Sequence, residues 1–283
     1  MILYPTALSM RQKPPPGSRV AQPISGGFWL PGASGGVTDS AGCNAPATVI
    51  GGVTRVQGPF GGPALKFDNA TGYVDCGLNG NTAFNWSSAA PFPRTFWAWV
   101  RRPSAGSVGP LFSKGNNSPN SGWSCSITAT SIDMGFVGSI NGGISAPANL
   151  VEGEWHQVCV SWSGAPFSLI VDNPGACAIY FNGRRALPAS NNSAAGVQNG
   201  TDVFNLWIGR AAYVGGTGGA ISAFADLEID HWGFDHRLYG DADVADLYSR
   251  PFRHFAPAPV FGRFITGSAV AAAAARPRIF VCT

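Results

Sequence analysis

Short runs of apolar and β-branched residues recur along most of the chain, and clusters of Gly, Asn, Pro and Ser separate them. In residues 156–162 apolar and polar positions alternate with a period of two, which predicts a strand with one face in a core. In residues 95–100 nearly every position is apolar or aromatic, which is typical of a strand buried on both faces. Asn182 and Gly183 follow another apolar run and indicate a hairpin turn.

One short helix is predicted within this pattern. Asp241 is a suitable N-cap, and Val244 and Leu247 fall on one side of a helix that runs to Tyr248. Many strands with a single short helix are typical of an all-β fold, a two-sheet antiparallel sandwich of the jelly-roll kind. We expect this unit to occupy residues 26–255.

The two ends differ from the middle of the chain. Residues 1–25 read as an extended arm, because Pro14–Pro16 favours polyproline II, which cannot join the interior of a sheet. Residues 256–283 form a second arm, in which the run Ala269–Ala275 leaves helix and irregular structure equally open. Both arms have apolar ends with little to bury them, so we expect them to dock on a neighbouring subunit.

The chain has six cysteines and no C-x-x-C pair, which argues against a zinc ribbon or a thioredoxin-type site. Buried free thiols and disulfides both remain open. If the apolar positions of residues 156–162 face the core, Cys159 points away from it while Cys177 points into it, so that a bridge between the two is disfavoured. Cys43 and Cys282 lie in the least regular segments and are our candidates for an inter-subunit disulfide.

Charged residues make up only 12% of the chain, against 45% hydrophobic residues. This is about half the usual charged share of a soluble domain, so uncharged polar groups or a partner must cover the surface. The net charge of +3 comes from scattered basic residues, which argues against nucleic acid binding. No run of apolar residues is long enough for membrane insertion, and the first residues lack the apolar stretch of a secretory signal.

Five motifs in a fixed order resemble those of a laminin-G/concanavalin A-like domain, over about residues 26–250. The motifs are Gly58–Asp68 with Tyr73–Gly77, then Phe96–Val100, then Glu154–Val158 with Ile179–Gly183, then Leu206–Gly209, and finally Ile229–Asp230 with the predicted helix. The resemblance implies a jelly roll of two antiparallel sheets.

The flanking segments Arg11–Gly17 and Leu247–Pro257 resemble those of laminin-G-like proteins of tailed bacteriophages. This resemblance implies a non-enzymatic virion protein, a capsid decoration, neck or tail-fibre component assembled in the host cytoplasm. The partners it implies are other virion proteins, further copies of the chain in a homo-oligomer, and a host surface glycan. A carbohydrate-binding module is the alternative, and a glycoside hydrolase of concanavalin-like fold is a third hypothesis.

Glu228 and Asp230 are the residues on which the hydrolase hypothesis depends. They resemble the start of the Glu-x-Asp-x-Glu or Glu-x-Asp-x-x-Glu pattern of concanavalin-like glycosidases, in which alternation aligns the acids on one face. Trp232 and Gly233 stand where the second glutamate should be, so no catalytic residue is assigned. We favour a structural interpretation in which Asp230 is the polar residue of the closing strand and anchors a loop.

Two further sets of residues are candidates for binding. Asp68, Asn69 and Asp75 lie near a turn and have the oxygen ligands that calcium prefers, although such residues more often cap their own backbone. Trp86 and Trp123 lie in Gly-, Asn- and Ser-rich segments and are candidates for stacking on sugar rings, burial in the core being the other interpretation. No other cofactor is predicted.

Overall fold

A computed structural model describes residues 13–14, 24, 26–34, 36–42, 44, 46–77, 93–114, 123–136, 142–163, 176–187, 190–192, 205–214 and 220–255. The strands in these ranges are β1 (Gly27–Pro31), β2 (Val37–Asp39), β3 (Thr48–Ile50), β4 (Val53–Gln57), β5 (Pro63–Phe67), β6 (Tyr73–Asp75), β7 (Arg94–Arg101), β8 (Gly109–Lys114), β9 (Trp123–Ile127), β10 (Ser131–Phe136), β11 (Gly142–Pro147), β12 (Trp155–Trp162), β13 (Cys177–Phe181), β14 (Arg184–Ala186), β15 (Ser190–Asn192), β16 (Leu206–Ile208), β17 (Arg210–Val214), β18 (Ala220–Phe224) and β19 (Glu228–Asp235). Helix α1 (Asp241–Ser249) and a 3-10 turn (Arg253–Phe255) follow β19.

The strands form two large antiparallel sheets. The nine-stranded sheet has the order β14-β13-β12-β7-β19-β1-β2, with β5 paired to β19 and β4 to β5. The eight-stranded sheet has the order β15-β11-β10-β9-β8-β16-β6-β3, and β17 and β18 form a separate hairpin. The predicted all-β, two-sheet jelly-roll sandwich is confirmed.

The main core lies between the two sheets. In β7, Phe96, Ala98 and Val100 point into it, as the alternation of a strand requires. Phe96 meets Phe112 of the opposite sheet with ring centroids 5.2 Å apart. Trp29 and Trp232, on adjacent strands of the nine-stranded sheet, stack at 6.3 Å in the same layer.

A second cluster covers the other face of the nine-stranded sheet, which we call its outer face. Trp97 of β7 is completely buried there, together with Phe28, and α1 packs Val244 and Leu247 onto the cluster. The prediction that residues 95–100 form a strand buried on both faces is therefore confirmed. Helix α1 contributes Val244 and Leu247 to this second layer of burial over β7, together with side chains such as Phe28 and Phe252.

The predicted helix is confirmed, but its N-cap is not the predicted residue. Gly240 occupies the N-cap position, and its N–H donates to Asp243 Oδ2 at 3.1 Å. Asp241 instead accepts the hydroxyl of Tyr180 at 3.0 Å, which ties the first turn of α1 to β13.

The cysteines lie on the faces that alternation along the strands predicted. Cys177 lies in the core between the sheets, whereas Cys159 lies in the outer cluster, so the two thiols occupy opposite faces as predicted. Both are free and buried, and burial raises the pKa of the Cys177 thiol to about 12. Cys43 and Cys282 lie outside the described residues.

The predicted domain limits at residues 25 and 256 stay predictions. Lys13, Pro14 and Ile24 are the described positions of the first arm, and the whole of the second arm lies outside the described residues. Among the described residues, no helix combines the length and apolar character that a transmembrane helix requires.

Candidate functional site

Strand β19 contains a bulge at the acidic pair. Its register with β7 shifts between Ile229 and Trp232, and both of these residues point into the core between the sheets. Because two residues lie between them, Asp230 and His231 both project from the outer face. Simple alternation would have placed Trp232 on the same side as Asp230, so the bulge is what directs Trp232 into the core between the sheets.

Asp230 belongs to a buried ion pair with the N-terminal arm. The Lys13 ammonium donates to Asp230 Oδ1 at 3.0 Å, to the Asp230 carbonyl at 3.0 Å and to the Pro63 carbonyl at 2.6 Å. The Lys13 side chain is 4% exposed and that of Asp230 is 0% exposed. Burial lowers the pKa of Lys13, and the adjacent Asp230 carboxylate opposes that shift.

His231 uses the second oxygen of Asp230. Its Nδ1 lies 2.7 Å from Asp230 Oδ2, and its ring stacks on Phe28 at 5.5 Å and contacts Phe252 at 4.8 Å. Its Nε2 is buried without a hydrogen-bond partner. Burial lowers the pKa of His231, which agrees with a neutral ring that donates from Nδ1 and keeps a bare Nε2 among aromatic side chains.

Glu228 is also held by a cation. Arg101, its neighbour on β7, donates from Nε to Glu228 Oε2, and the Arg101 guanidinium lies 5.0 Å from the ring centroid of Trp155. Glu228 and Asp230 share the outer face, as alternation predicted. Each carboxylate forms an ion pair with its own cation. Gly233 cannot hold a further acid, because a Cβ there would overlap the Trp97 ring.

The calcium candidates are engaged in turn and strand contacts. Asp68 Oδ1 accepts the N–H groups of the next turn, from Ala70, Thr71 and Gly72, at 2.7–3.0 Å. These bonds hold the pKa of Asp68 well below its usual range. Asn69 adopts a left-handed conformation with φ 58° in the same turn.

Asp75 is bound to other partners. It accepts Gly77 N–H at 2.8 Å and the Asn205 amide at 2.9 Å. A calcium ion at these residues would therefore have to displace hydrogen bonds from both carboxylates. In the part of the chain that the structure describes, no three His, Cys, Asp or Glu side chains converge as a metal site.

Of the two interpretations given for Trp123, burial in the core is the correct one, and Trp123 is not an exposed platform for a sugar. Trp123 begins β9 and points into the core with 5% exposure, stacked on Phe96 at 5.2 Å. Its Gly- and Ser-rich neighbours in sequence suggested a loop, but alternation along β9 places it on the same side as Cys125 and Ile127. Trp86 lies outside the described residues.

A different aromatic cluster, which the sequence reasoning missed, lies on the eight-stranded sheet. The guanidinium of Arg210 lies 4.7 Å from the ring centroid of Tyr73, 4.6 Å from that of Trp207 and 5.6 Å from that of Phe224. All four side chains are half-buried. We call this group the Arg210 cluster.

Alternation explains where the Arg210 cluster comes from. Leu206 and Ile208 point into the core, so Trp207 between them faces outward, and Tyr73 is placed in the same way beside the buried Val74. Strand pairing then brings β16 next to β6, and the hairpin of β17 and β18 adds Arg210 and Phe224. The alternation could have identified the two outward rings, but only the strand order brings them together.

Comparisons with known proteins bear on the fold. No known family profile matches the chain, and no curated protein shows significant similarity to it. Solved structures that share its fold include the binding domain of botulinum neurotoxin serotype G, with a TM-score of 0.57 and 14% identity, covering 80% of this chain and 50% of that one.

Two of the structures that share the fold are complexes. The binding domain of botulinum neurotoxin DC in complex with SialylT has a TM-score of 0.53 and 15% identity, over 79% of this chain and 51% of that one. The same domain in complex with rat synaptotagmin II has a TM-score of 0.53 and 16% identity, over 79% and 51%. This chain thus spans about half the length of these neighbours, and the likeness shows that it has the fold of a β-sandwich found in receptor-binding domains.

Proposed function

We propose that the protein is a non-catalytic binding subunit of a tailed-bacteriophage virion, a decoration, neck or tail-fibre component that assembles with its own copies and with other virion proteins. The proposal that the protein is non-catalytic rests on the two acidic residues of β19, which are both engaged in ion pairs. The strand on which a concanavalin-like glycosidase would place its acid and base has Glu228 paired with Arg101 and Asp230 paired with Lys13. An acid that is fully buried against a lysine has no access to a glycosidic oxygen.

The Arg210 cluster is the proposed binding surface for a host surface glycan. Aromatic rings pack against the C–H faces of sugars, and a guanidinium donates hydrogen bonds in a fixed planar geometry. Tyr73, Trp207 and Phe224 supply the rings, and Arg210 supplies the donors. The fold is compatible with this role, since one structural neighbour is described in complex with a sugar and another with a protein.

Glycan binding is tested with aromatic variants on the two sheets. We expect Trp207→Ala and Tyr73→Ala each to weaken binding on a glycan array by about five- to tenfold, because stacking on a ring contributes on the order of 1–1.5 kcal/mol. Trp155→Ala is the matched control, since Trp155 is also half-buried under an arginine but lies on the outer face of the other sheet. Equal binding by all variants would reject the Arg210 cluster as the glycan surface.

The virion location needs a separate experiment. Particles purified through a density gradient should contain the protein by mass spectrometry, and antibody labelling in electron microscopy should place it on capsid, neck or tail fibre. Its absence from purified particles would refute the virion proposal while leaving glycan binding untouched.

A carbohydrate-binding module outside any virion is the second candidate function, and the Arg210 cluster is the observation that favours it. It is distinguished by saturable glycan binding that Trp207→Ala weakens, together with absence of the protein from purified particles. The hydrolase hypothesis is tested by turnover, because a glycosidase would lose its activity in Glu228→Gln and Asp230→Asn.

A further inference from the structure

The amine of Lys13 and the carboxyl of Asp230 meet inside the protein, shielded from solvent. The two side chains are 4% and 0% exposed, and Lys13 Nζ lies 3.0 Å from Asp230 Oδ1. The carbonyls of Pro63 and Asp230 accept the other two hydrogen bonds of Nζ, at 2.6 Å and 3.0 Å, and fix its position. An amine and a carboxyl held together in this way are the two reactants of an amide bond.

The loop of residues 58–62 closes over the pair. A Cβ at Gly58 would overlap Asp230 Oδ1, and a Cβ at Gly62 would lie 2.6 Å from Lys13 Cδ. Glycine at both positions therefore lets the loop backbone pack directly on the two side chains. The Lys13 N–H also donates to the Phe60 carbonyl at 2.9 Å, which ties the arm to the same loop.

His231 holds the second oxygen of the carboxyl. Its Nδ1 lies 2.7 Å from Asp230 Oδ2, and the bulge in β19 places these two neighbouring side chains on one face. Three aromatic rings surround the imidazole, with centroids 5.5, 5.8 and 4.8 Å away, and belong to Phe28, Phe60 and Phe252. A hydrogen bond to a developing negative charge is strong in such apolar surroundings, because water does not compete for it.

We propose that Lys13 and Asp230 form an intramolecular isopeptide bond, with His231 as the hydrogen-bond donor to the oxygen that becomes the oxyanion. Nζ attacks Cγ of Asp230, and the Cγ–Nζ bond forms while the Cγ–Oδ1 bond breaks. The reaction needs no partner or cofactor and does not depend on the proposed function. The noncovalent ion pair is the state of the chain before the bond forms, and its contribution to folding is separate from that of the bond.

Atoms, protons and charge balance within the pair. The ammonium first passes one proton to Oδ1 along their 3.0 Å hydrogen bond, which leaves a neutral amine and a neutral acid. Attack by the amine puts the negative charge on Oδ2, to which the His231 Nδ1–H donates. A second proton moves from the nitrogen to Oδ1, which departs as water, and Oδ2 becomes the amide oxygen. The third ammonium proton remains on the amide nitrogen, next to the Pro63 carbonyl.

Burial and proximity both favour this reaction. Burial lowers the pKa of Lys13, so the nucleophilic neutral amine is easier to form than in water. Groups held in a reactive arrangement reach effective concentrations on the order of 10⁵–10⁸ M. The low exposure of both side chains also keeps solvent water away from the amide, which opposes its hydrolysis.

The bond closes a long covalent loop in the chain. Lys13 and Asp230 are 217 positions apart, so the bond fastens the N-terminal arm to β19 in the folded and the unfolded protein alike. A cross-link of that span restricts the unfolded chain. A denatured chain that contains the bond is therefore more compact, and should migrate faster on a denaturing gel than the same chain without it.

The mass of the intact, folded protein tests for the bond. We expect the wild-type chain to be lighter than its sequence by the mass of one water molecule. Lys13→Arg keeps a cation but removes the nucleophilic amine, and Lys13→Met keeps most of the stem, so both variants should have their full mass. Lys66→Arg is the matched control, since Lys66 is half-buried on β5, and it should lose water like the wild type. A folded wild-type chain that keeps its full mass after days at neutral pH would overturn the proposal.

Trypsin digestion identifies the linked residues. Cleavage after arginine gives a peptide of residues 12–19, in which Lys13 is protected by Pro14, and a peptide of residues 211–237 that contains Asp230. The isopeptide bond joins these two peptides, and tandem mass spectrometry should find them as one species. A succinimide at Asp230 would lose the same water without joining them. Water loss without the linked peptides would therefore also overturn the bond.

His231→Phe tests the hydrogen-bond donor. Phenylalanine suits the aromatic surroundings of the ring but cannot donate to Asp230 Oδ2. The linked fraction is followed on a denaturing gel in a time course after cell-free synthesis, and circular dichroism checks that the variant is folded. We expect the bond to form about a hundredfold more slowly than in the wild type, as is typical when one oxyanion donor is removed. An unchanged rate in the folded variant would overturn the role of His231.

Discussion

The buried pair of Lys13 and Asp230 leads to a measurable coupling. Lys13→Met keeps most of the stem and removes the ammonium, which leaves Asp230 with 0% side-chain exposure and only His231 as a side-chain partner. Breaking a buried ion pair from one side costs about 3–5 kcal/mol. We expect a loss of about 3 kcal/mol, at the low end, because the end of an arm can move aside and admit water.

Asp230→Asn removes the charge and preserves the shape. The ammonium of Lys13 then keeps the carbonyls of Pro63 and residue 230 but no counter-charge, and we expect a loss of about 2–3 kcal/mol. The double variant leaves no uncompensated charge at the site of the Lys13–Asp230 pair. Its loss should therefore fall short of the sum of the two single losses by about 2 kcal/mol.

The free energy of unfolding of the wild type, the two single variants and the double variant is measured by urea unfolding. Unfolding is followed by tryptophan fluorescence at pH 7 and at one protein concentration. Lys66→Met is the matched control, since Lys66 is half-buried on β5, and its loss should stay within about 0.5 kcal/mol. Additive losses, or a Lys13→Met loss no larger than that of the control, would refute the buried pair.

Three further outcomes are expected. Burial lowers the pKa of His254 to about 3, so between pH 6.5 and 3 the unfolded chain binds a proton that the folded chain does not, and stability falls as pH is lowered. From pH 7 to pH 5 this amounts to about 2 kcal/mol, and His254→Phe should flatten the urea-derived pH profile by that amount; an unchanged slope would contradict the assignment. Gly233→Ala should cost about 1–3 kcal/mol because its Cβ overlaps Trp97, whereas Gly135→Ala, with its nearest neighbouring atom at 3.5 Å, should be nearly neutral; equal melting temperatures would argue against the overlap. Asp68→Ala should lower the melting temperature by freeing three backbone N–H groups, and millimolar calcium should leave the wild-type melting temperature unchanged, so a rise on adding calcium would revive the metal site.

The strands were predictable because their signal is local. Alternation in residues 156–162 and the apolar run in residues 95–100 reflect which face each side chain presents, and the period of two follows from backbone geometry alone. The same rule correctly separated Cys159 from Cys177. The same rule predicts that Trp207 faces outward, because Leu206 and Ile208 on either side of it point into the core.

The bulge in β19 was not predictable in the same way. Whether an extra residue is inserted depends on how β19 fits β7, and the register shift lies between Ile229 and Trp232. The interpretation of Trp123 as an exposed loop residue was wrong for a related reason. Local composition suggested a loop, whereas pairing with β8 and β10 makes Trp123 the first residue of a buried strand.

The sequence by itself determined the all-β class, the two-sheet sandwich, the position of the helix at Asp241–Ser249 and the opposite faces of Cys159 and Cys177, because each of these follows from the local pattern of residues and from the order of the predicted elements. Tertiary structure alone decided the chemistry of the candidate sites. Lys13 and Asp230 are 217 positions apart, and the Arg210 cluster draws on four different strands. These contacts depend on strand order, on register and on one bulge. All three are set by packing across the whole fold and cannot be read from the local sequence pattern.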